Sequence, residues 1–292
     1  MKGKLKINMN NVKTQKVKQI KLCNTKVEWH IFGKCNKDFY ESIVDVEVGR
    51  NNKISVSLNY IGYQDEYMLN NFDREVYSSI VSLYLTGNKY ITYSMIFNVL
   101  SGNDNKLKIS NNNLELIRRS VNKMNETIIT IEKSKLSKGF EYNEKLLPIE
   151  LVDDIKLNGH EVEECFYIKE KEALPLFTLA DNMSQVSTIE ANLLNMRDKD
   201  GKIKLEINYE NVILKYFLLR RILSSKNKKS KMKSICTFES LYEYINLEKY
   251  SGDNLRHKKK RILGNLQKCF ECWKDMKLIN NFNFNNKKVE WY

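Results

Sequence analysis

The chain has 292 residues, of which 42% are apolar and 11% are aromatic. This length and composition support about two domains with hydrophobic cores and exclude a disordered chain. The formal net charge of +13 indicates nucleic acid, an acidic membrane surface or an acidic protein as the partner. No apolar run reaches the length of about 18 residues that a membrane span needs, and the amino terminus lacks an apolar signal segment, so we expect a cytoplasmic protein.

The first 50 residues are basic and show little regular patterning. Eight Lys precede the first acidic residue, Glu28, and no sustained apolar periodicity is present before Phe32. This pattern predicts a flexible basic arm over residues 1–50. Such an arm either binds the DNA backbone or has no structure of its own, and both alternatives stay open.

Residues 51–183 are predicted to form a first winged-helix domain. Apolar residues at helical spacing predict a helix over 72–84, and Thr92 and Ser110 are N-caps for two further helices. A strand and then a hairpin around Asn158-Gly159 follow, the strongest hairpin signal in the chain. Three helices, a strand and a hairpin are the element order of a winged helix.

Residues 184–292 are predicted to form a second domain of the same kind. Asn208 can cap a long helix that ends before the lysine-rich loop SKNKKSKMK, and Thr237 can cap a second helix. The third helix, over 251–276, is capped by Ser251. The tail alternates apolar and polar residues on both sides of Asn285-Asn286, which predicts a hairpin.

The helix over 251–276 separates apolar from basic residues. Its apolar stripe consists of Leu255, Ile262, Leu266, Phe270 and Trp273. The opposite face carries His257, Lys260, Arg261, Gly264, Gln267 and Lys268, an arrangement that suits a polyanion. The alternative is an ordinary solvated surface, which is what most charge runs are.

The candidate DNA-binding residues belong to four groups. The third helix of the second domain and its hairpin tip supply most of them, and the third helix of the first domain and the lysine-rich loop supply the rest. In that order they are Arg256, His257, Lys258, Lys260, Arg261, Gln267 and Lys268; Lys287 and Lys288; Arg119 and Lys123; and Lys228, Lys229 and Lys231. Because the first domain's third helix has the smaller net charge, we expect the second domain to dominate DNA affinity.

No catalytic residue, metal ligand or cofactor site is predicted. The sequence has neither a phosphate-binding G-x-x-x-x-G-K-[ST] loop nor the His cluster of metal-dependent nicking initiators. Asp153-Asp154 lies in a predicted hairpin without a third acid spaced for metal. Cys269 and Cys272 lack a second ligand pair, and we interpret them as reduced core cysteines.

Four helical segments resemble the plasmid replication initiator proteins that bind repeated origin sequences (iterons) with two winged helices. These segments are FDREVYSSIVSLYLTGNKYITYSMIFNVLSG (72–102), IRRSVNKM (117–124), ILKYFLLRRILSSKN (213–227) and LRHKKKRILGNLQKCFECW (255–273). The resemblance implies that the carboxy-terminal winged helix reads the repeats in the major groove through residues 251–276. It also implies that the amino-terminal winged helix contacts the DNA backbone and carries dimerisation.

Three functions are therefore considered. The first is a non-enzymatic, sequence-specific duplex DNA-binding initiator that binds the origin repeats of a plasmid or phage and recruits host replication proteins. The second is a winged-helix transcriptional repressor, and the third is an origin-nicking or priming enzyme. Leu116, which points away from the apolar stripe of its helix, marks a surface for a second copy of the chain or for the other domain. We therefore expect a homodimer.

Overall fold

The computed structural model describes residues 12–33, 37–48, 53–62, 68–104, 107–132, 138–152, 155–162, 164–170, 174–198, 200–226 and 234–292. The chain divides into two compact units, Met1–Ala191 (unit 1) and Asn192–Tyr292 (unit 2). Helices and strands occur in both units, as predicted from the sequence, and the fold class is α+β. Among the helices of these ranges, none has both the length and the apolar character needed to cross a bilayer.

Unit 1 contains six helices and eleven strands in its described part. In chain order they are β1 (Gln19–Cys23), α1 (Lys26–Ile31), α2 (Lys37–Glu41), β2 (Val44–Glu47), β3 (Lys53–Tyr60), α3 (Asn71–Leu85), β4 (Tyr90–Ile91), α4 (Tyr93–Leu100), α5 (Asn111–Glu126), β5 (Thr127–Ile131), β6 (Tyr142–Lys145), β7 (Glu150–Val152), β8 (Ile155–Leu157), β9 (His160–Val162), β10 (Cys165–Tyr167), α6 (Pro175–Asn182) and β11 (Val186–Glu190).

Helices α3, α4 and α5 pack on one another and begin at side-chain caps. Asn70 and Asp73 form a reciprocal capping box at the start of α3. The hydroxyls of Thr92 and Ser110 accept hydrogen bonds from backbone N–H groups of the first turns of α4 and α5. The three predicted helices and the two predicted caps are therefore confirmed. Their apolar stripes meet in a core that includes Val76, Ile80, Phe97, Leu100, Ile117 and Val121.

The predicted hairpin at Asn158-Gly159 is also present. Asn158 and Gly159 have φ angles of 52° and 86°, the left-handed conformations that a two-residue type I′ turn requires. Strands β8 and β9 flank the turn, and β7 and β10 continue the hairpin in the same register. Strand β10 also pairs with β4, so the three-stranded sheet has the order β4-β10-β7.

The flexible arm predicted over residues 1–50 is wrong for the described residues from Val12 onward. Strand β1 pairs with β11 along its whole length, and Ile20, Leu22 and Val27 are buried. Strand β2 joins a four-stranded sheet of order β2-β3-β5-β6. Unit 1 therefore begins well before residue 51. It also continues to Ala191, past the boundary predicted after residue 183, because β11 is the partner of β1.

Unit 2 contains three helices and three strands in its described part, besides short 3-10 segments. They are α7 (Tyr209–Lys226), β12 (Ile235–Thr237), α8 (Phe238–Tyr244), α9 (Gly252–Asp275), β13 (Phe282–Phe284) and β14 (Lys288–Trp291). Strands β13 and β14 form the predicted hairpin, and β12 pairs with the other side of β14, which gives the order β12-β14-β13.

The core of unit 2 forms between α7, α9 and this sheet. Ile262, Leu266, Phe270 and Trp273 of the predicted α9 stripe are buried, whereas Leu255 near the helix start is only half-buried. The rings of Phe270 and Trp291 lie 5.7 Å apart, which joins the helix to the hairpin. Ser251 is the N-cap residue of α9, but its side chain makes no capping hydrogen bond, so the predicted cap is wrong in its chemistry.

Candidate nucleic-acid interface

Helix α9 presents an exposed basic face opposite its buried stripe. Arg256, His257, Lys260, Gln267 and Lys268 are all exposed on it. Except for Gln267, whose amide donates to Glu271 over 3.0 Å, their side chains have no hydrogen-bond or ion-pair partner among the residues that the structure describes. We call Arg256, His257, Lys260 and Lys268 the outer residues of α9. Because the core fixes the helix and these side chains project into solvent, this face is accessible to a large polyanion.

Lys258 and Arg261 are held differently, since both donate to the carboxylate of Glu210 in the first turn of α7. The ammonium of Lys258 also lies 4.8 Å from the ring centroid of Tyr250, a cation–π distance. Burial acts to raise the pKa of the Glu210 carboxyl, but the hydrogen bonds from Lys258 and Arg261 outweigh it and lower that pKa below its ordinary value. Glu210 is thus a carboxylate that restrains two of the predicted DNA-binding cations.

The Glu210 contacts belong to a larger junction between the start of α7 and the middle of α9. Asn208 accepts a hydrogen bond from the backbone N–H of Asn211 over 3.0 Å, which confirms it as the predicted cap. Asn211 in turn accepts from the amide of Asn265 over 2.8 Å. Residues 258, 261 and 265 follow one side of α9 at helical spacing. The junction therefore sets the rotation of α9 about its own axis, and with it the direction of the outer residues.

The hairpin that follows α9 carries the two predicted lysines in different states. The side chain of Asn285 accepts from the backbone N–H groups of Lys287 and Lys288 over 2.9 and 3.0 Å, which closes the turn. Lys287 is exposed at the tip. The ammonium of Lys288 instead donates to Glu290 over 2.5 Å. Of the two residues, Lys287 is thus the one available to an anion outside the chain.

In unit 1 the two α5 residues that were predicted to bind DNA differ in their exposure. Arg119 is exposed. Lys123 is only 3% exposed, and its ammonium donates to Asp73 and to the carbonyl of Met68, both over 3.0 Å. Burial raises the pKa of the Asp73 carboxyl, and Lys123 opposes that shift. The prediction that Lys123 contacts DNA is therefore wrong for this structure, because the side chain is committed to an internal ion pair.

Arg118 connects α5 to the hairpin of strands β7 to β10. It was not predicted from the sequence as a site residue. Its guanidinium donates to Glu115 over 2.9 Å and to Glu164, between β9 and β10, over 2.6 Å. It also lies 5.5 Å from the ring centroid of Tyr93. Two carboxylates around one guanidinium leave this part of α5 with no excess positive charge, in agreement with the smaller charge expected for the first domain.

Three of the predicted residues, Lys228, Lys229 and Lys231, lie outside the described residues, as does the Asp153-Asp154 pair. Cys269 and Cys272 are buried, as interpreted from the sequence. Burial raises the pKa of the Cys269 thiol to about 12. Within the described ranges no group of three or more His, Cys, Asp or Glu residues is placed to hold a metal ion.

The similarity of this chain to known proteins is weak. No protein-family model and no curated protein matches the chain. Among solved structures, the chain is similar to the crystal structure of selenomethionine derivatives of domains 2 and 3 of RctB. The identity is 11% and the TM-score 0.38, over 82% of this chain and 81% of that chain. At that level of similarity the match carries no argument about function.

Proposed function

We propose that this chain is a sequence-specific, duplex DNA-binding protein built of two winged helices. In unit 2, the order α7-β12-α8-α9-β13-β14 is that of a winged helix, with α9 as the recognition helix and the β13–β14 hairpin as the wing. In the three-stranded sheet, β14 lies between β12 and β13. That pairing supports the assignment because it brings the wing beside the recognition helix.

Unit 1 repeats this arrangement with added elements. Helix α3, strand β4 and helices α4 and α5 are followed by the hairpin of β7 and β10, and the strand order β4-β10-β7 corresponds to β12-β14-β13. Strands β5 and β6 are inserted between α5 and the hairpin, and β1 to β3 precede α3. The same order of helices and strands, with the same pairing, thus supports a tandem winged-helix protein.

The proposal rests chiefly on the exposure of the outer residues of α9. Arg256, His257, Lys260 and Lys268 are exposed on one side of a helix of 24 residues whose other side is fixed in a core. The major groove of B-DNA is about 12 Å wide and admits one α-helix, and Arg and Lys are the side chains that most often pair with guanine there. Lys287 at the wing tip adds a cation suited to a phosphate.

We further propose that the DNA is a set of origin repeats and that the chain starts replication of a plasmid or phage without itself being an enzyme. The four resembling segments support this function, and so does the duplication of the winged helix. Host replication proteins are then its further partners, and homodimerisation through unit 1 is part of the proposal. A transcriptional repressor is the second candidate, because an exposed basic face on α9 would serve either task.

Selection of binding sequences from a pool of random duplexes, with the full-length protein, tests the proposal. We expect one enriched sequence, which occurs as direct repeats near the gene. One palindrome over the promoter would favour the repressor, and metal-dependent cleavage of the repeat DNA would favour a nicking enzyme. No enriched sequence would contradict sequence-specific binding.

A matched pair of variants then tests the role of α9. Arg256→Ala with Lys260→Ala should lower the affinity for the selected sequence and leave binding to a scrambled duplex less affected, since a bidentate Arg–guanine contact contributes about 1 to 3 kcal/mol of discrimination. Lys202→Ala with Lys249→Ala removes the same charge from exposed positions of unit 2 outside α9 and should leave discrimination unchanged. If both double variants discriminate as well as the wild type, α9 does not read the sequence.

A further inference from the structure

Residues 12–18, which we call the amino-terminal strap, run in an ordered path across unit 1. At one end Val12 makes backbone hydrogen bonds to Lys156 and Asn158 at the hairpin tip, over 2.9 and 3.0 Å. The side chain of Asn158 also accepts from the backbone N–H of Thr14 over 2.9 Å. The strap therefore extends the tip of the hairpin by one more chain segment.

The rest of the strap is hydrogen-bonded to residues that follow two helices. The amide of Asn88, just beyond α3, accepts from the backbone N–H of Gln15 over 2.7 Å and donates to its carbonyl over 2.9 Å. Asn103, just beyond α4, donates to the carbonyl of Val17 over 2.5 Å. Val17 itself is 1% exposed. Backbone bonds along the whole strap thus fix which side chains face outward.

Three lysine side chains of the strap face outward. Lys13, Lys16 and Lys18 are exposed, and none has a side-chain partner among the residues that the structure describes. The chain has no acidic residue from position 12 to position 27. Lys89, next to Asn88, and Lys156, next to the hairpin tip, are exposed as well. The strap therefore forms the centre of a basic surface on unit 1.

We propose that the strap binds the phosphate backbone of duplex DNA and supplies the principal DNA contact of unit 1. This inference rests on the proposed function and adds a surface to it. An extended chain advances at most about 3.4 Å per residue, so Lys13 and Lys18 are up to about 17 Å apart. One DNA strand presents a phosphate about every 3.4 Å along the axis. The three ammonium groups are therefore close enough together to contact neighbouring phosphates of one strand.

Duplex DNA fits this surface better than an anionic membrane. Membrane-binding segments combine Lys or Arg with apolar side chains that enter the bilayer. Here the apolar side chains of the strap face inward, since Val17 is buried and Val12 packs against the cluster of Tyr90, Leu157 and Cys165 beneath the hairpin. The exposed side chains of the strap are all polar. The surface also lies beside the β7–β10 hairpin, which corresponds to the wing in unit 1. The wing of a winged helix contacts the DNA backbone.

The test compares Lys13→Gln/Lys16→Gln/Lys18→Gln with Lys26→Gln/Lys108→Gln/Lys138→Gln, all in the full chain. The second triple variant removes the same charge from exposed positions of unit 1 outside the strap. Binding to the selected duplex and to its scrambled version is measured by fluorescence anisotropy at several KCl concentrations. For the strap variant we expect the slope of log K against log salt to fall by about 2.7, because each phosphate contact contributes about 0.9. Both duplexes should lose affinity by the same factor, and the control variant should retain the wild-type slope.

The outcomes separate this inference from the proposed function. If the two triple variants have equal slopes while Arg256→Ala/Lys260→Ala loses discrimination, the strap inference is overturned and the role of α9 stands. If the strap variant loses slope and the α9 variant keeps its discrimination, the strap inference stands and the role of α9 is overturned. If the wild type binds no duplex, both fail. Preferential loss of binding to phosphatidylglycerol vesicles would also overturn the inference.

A second variant tests the ordered path rather than the charge. Asn88→Ala removes both side-chain bonds to Gln15 but no lysine. We expect faster tryptic cleavage after Lys16 and Lys18 and weaker DNA binding than in the wild type, because the lysines are no longer held in place. If the variant has the wild-type cleavage rates and the wild-type affinity, the hydrogen bonds between Asn88 and Gln15 do not contribute to DNA binding.

Discussion

Arg74 and Glu28 form an ion pair in the interior of unit 1, with both side chains at most 1% exposed. The Nε of Arg74 donates to Glu28 over 3.0 Å, and a second guanidinium nitrogen donates to the other carboxylate oxygen and to the carbonyl of Cys23, each over 3.3 Å. Two parallel bonds from one guanidinium are the strongest geometry for such a pair. The pair joins the segment before residue 50 to α3.

We expect Glu28→Gln to lower the free energy of unfolding of unit 1 by about 3 to 5 kcal/mol, because it leaves the Arg74 charge buried without its partner. Glu41→Gln is the matched control. It breaks the pair between Lys37 and Glu41, whose side chains are 65% and 60% exposed, and pairs of that kind contribute about 0 to 1 kcal/mol. Urea denaturation followed by circular dichroism measures both. Equal effects of the two substitutions would contradict the structural role of the buried pair.

Glu210→Gln should increase the affinity for DNA of any sequence while reducing discrimination. The substitution releases Lys258 and Arg261 from their shared carboxylate and weakens the junction that orients α9, of which the hydrogen bond between Asn265 and Asn211 remains. If both cations then contact phosphates, the salt slope should increase by about 1.8. Glu271→Gln removes one negative charge from the exposed side of α9 without releasing a cation, because its partner Gln267 is neutral. A slope that rises equally in both variants would mean that only net charge matters.

The two wing lysines should differ in their effect on binding. Lys287→Ala is expected to weaken binding to all sequences alike and to lower the salt slope by about 0.9, as expected for the loss of one phosphate contact. Lys288→Ala should have a smaller effect, because the ammonium of Lys288 is already bound to Glu290. Anisotropy titrations with the selected and the scrambled duplex measure both. A larger effect for Lys288→Ala would show that DNA displaces Glu290.

Lys215 should make the stability of unit 2 depend on pH above neutrality. It is fully buried in α7, and burial lowers the pKa of its ammonium from 10.5 to about 8. Below a pH of about 8 both the folded and the unfolded states carry the proton, so no dependence arises. Between about 8 and 10.5 the unfolded state binds more protons. The free energy of unfolding therefore increases with pH in that window, by an amount on the order of 3 kcal/mol.

The check is the difference in unfolding free energy between the wild type and Lys215→Met, measured by tryptophan fluorescence on both sides of that window with a thiol reductant present. Other groups that titrate there cancel in the difference. We expect the wild type to become more stable relative to the variant as the pH rises. A difference that does not change with pH would mean that Lys215 keeps its ordinary pKa or gains a solvated position.

The sequence predicts what depends on neighbouring residues in the chain. The stripe of α9, the caps at Thr92 and Ser110 and the turn at Asn158-Gly159 are confirmed because helix periodicity, capping and turn chemistry are local. Lys123 was misjudged because its partner Asp73 lies 50 residues away in the sequence. Glu210 was missed for the same reason, since its first-turn position on α7 gives no sign of a contact with α9, 48 residues further on.

The pairing of β1 with β11 has a consequence for synthesis on the ribosome. Asn24 and Ser187, at the ends of these strands, are 163 residues apart in the sequence. At about 5 to 20 residues per second, β1 has emerged roughly 8 to 30 s before its partner strand exists. Its apolar residues Ile20 and Leu22 must stay unpaired for that time, within reach of chaperones. Completion of unit 1 therefore waits until almost two thirds of the chain has been translated, at the point where translation of unit 2 begins.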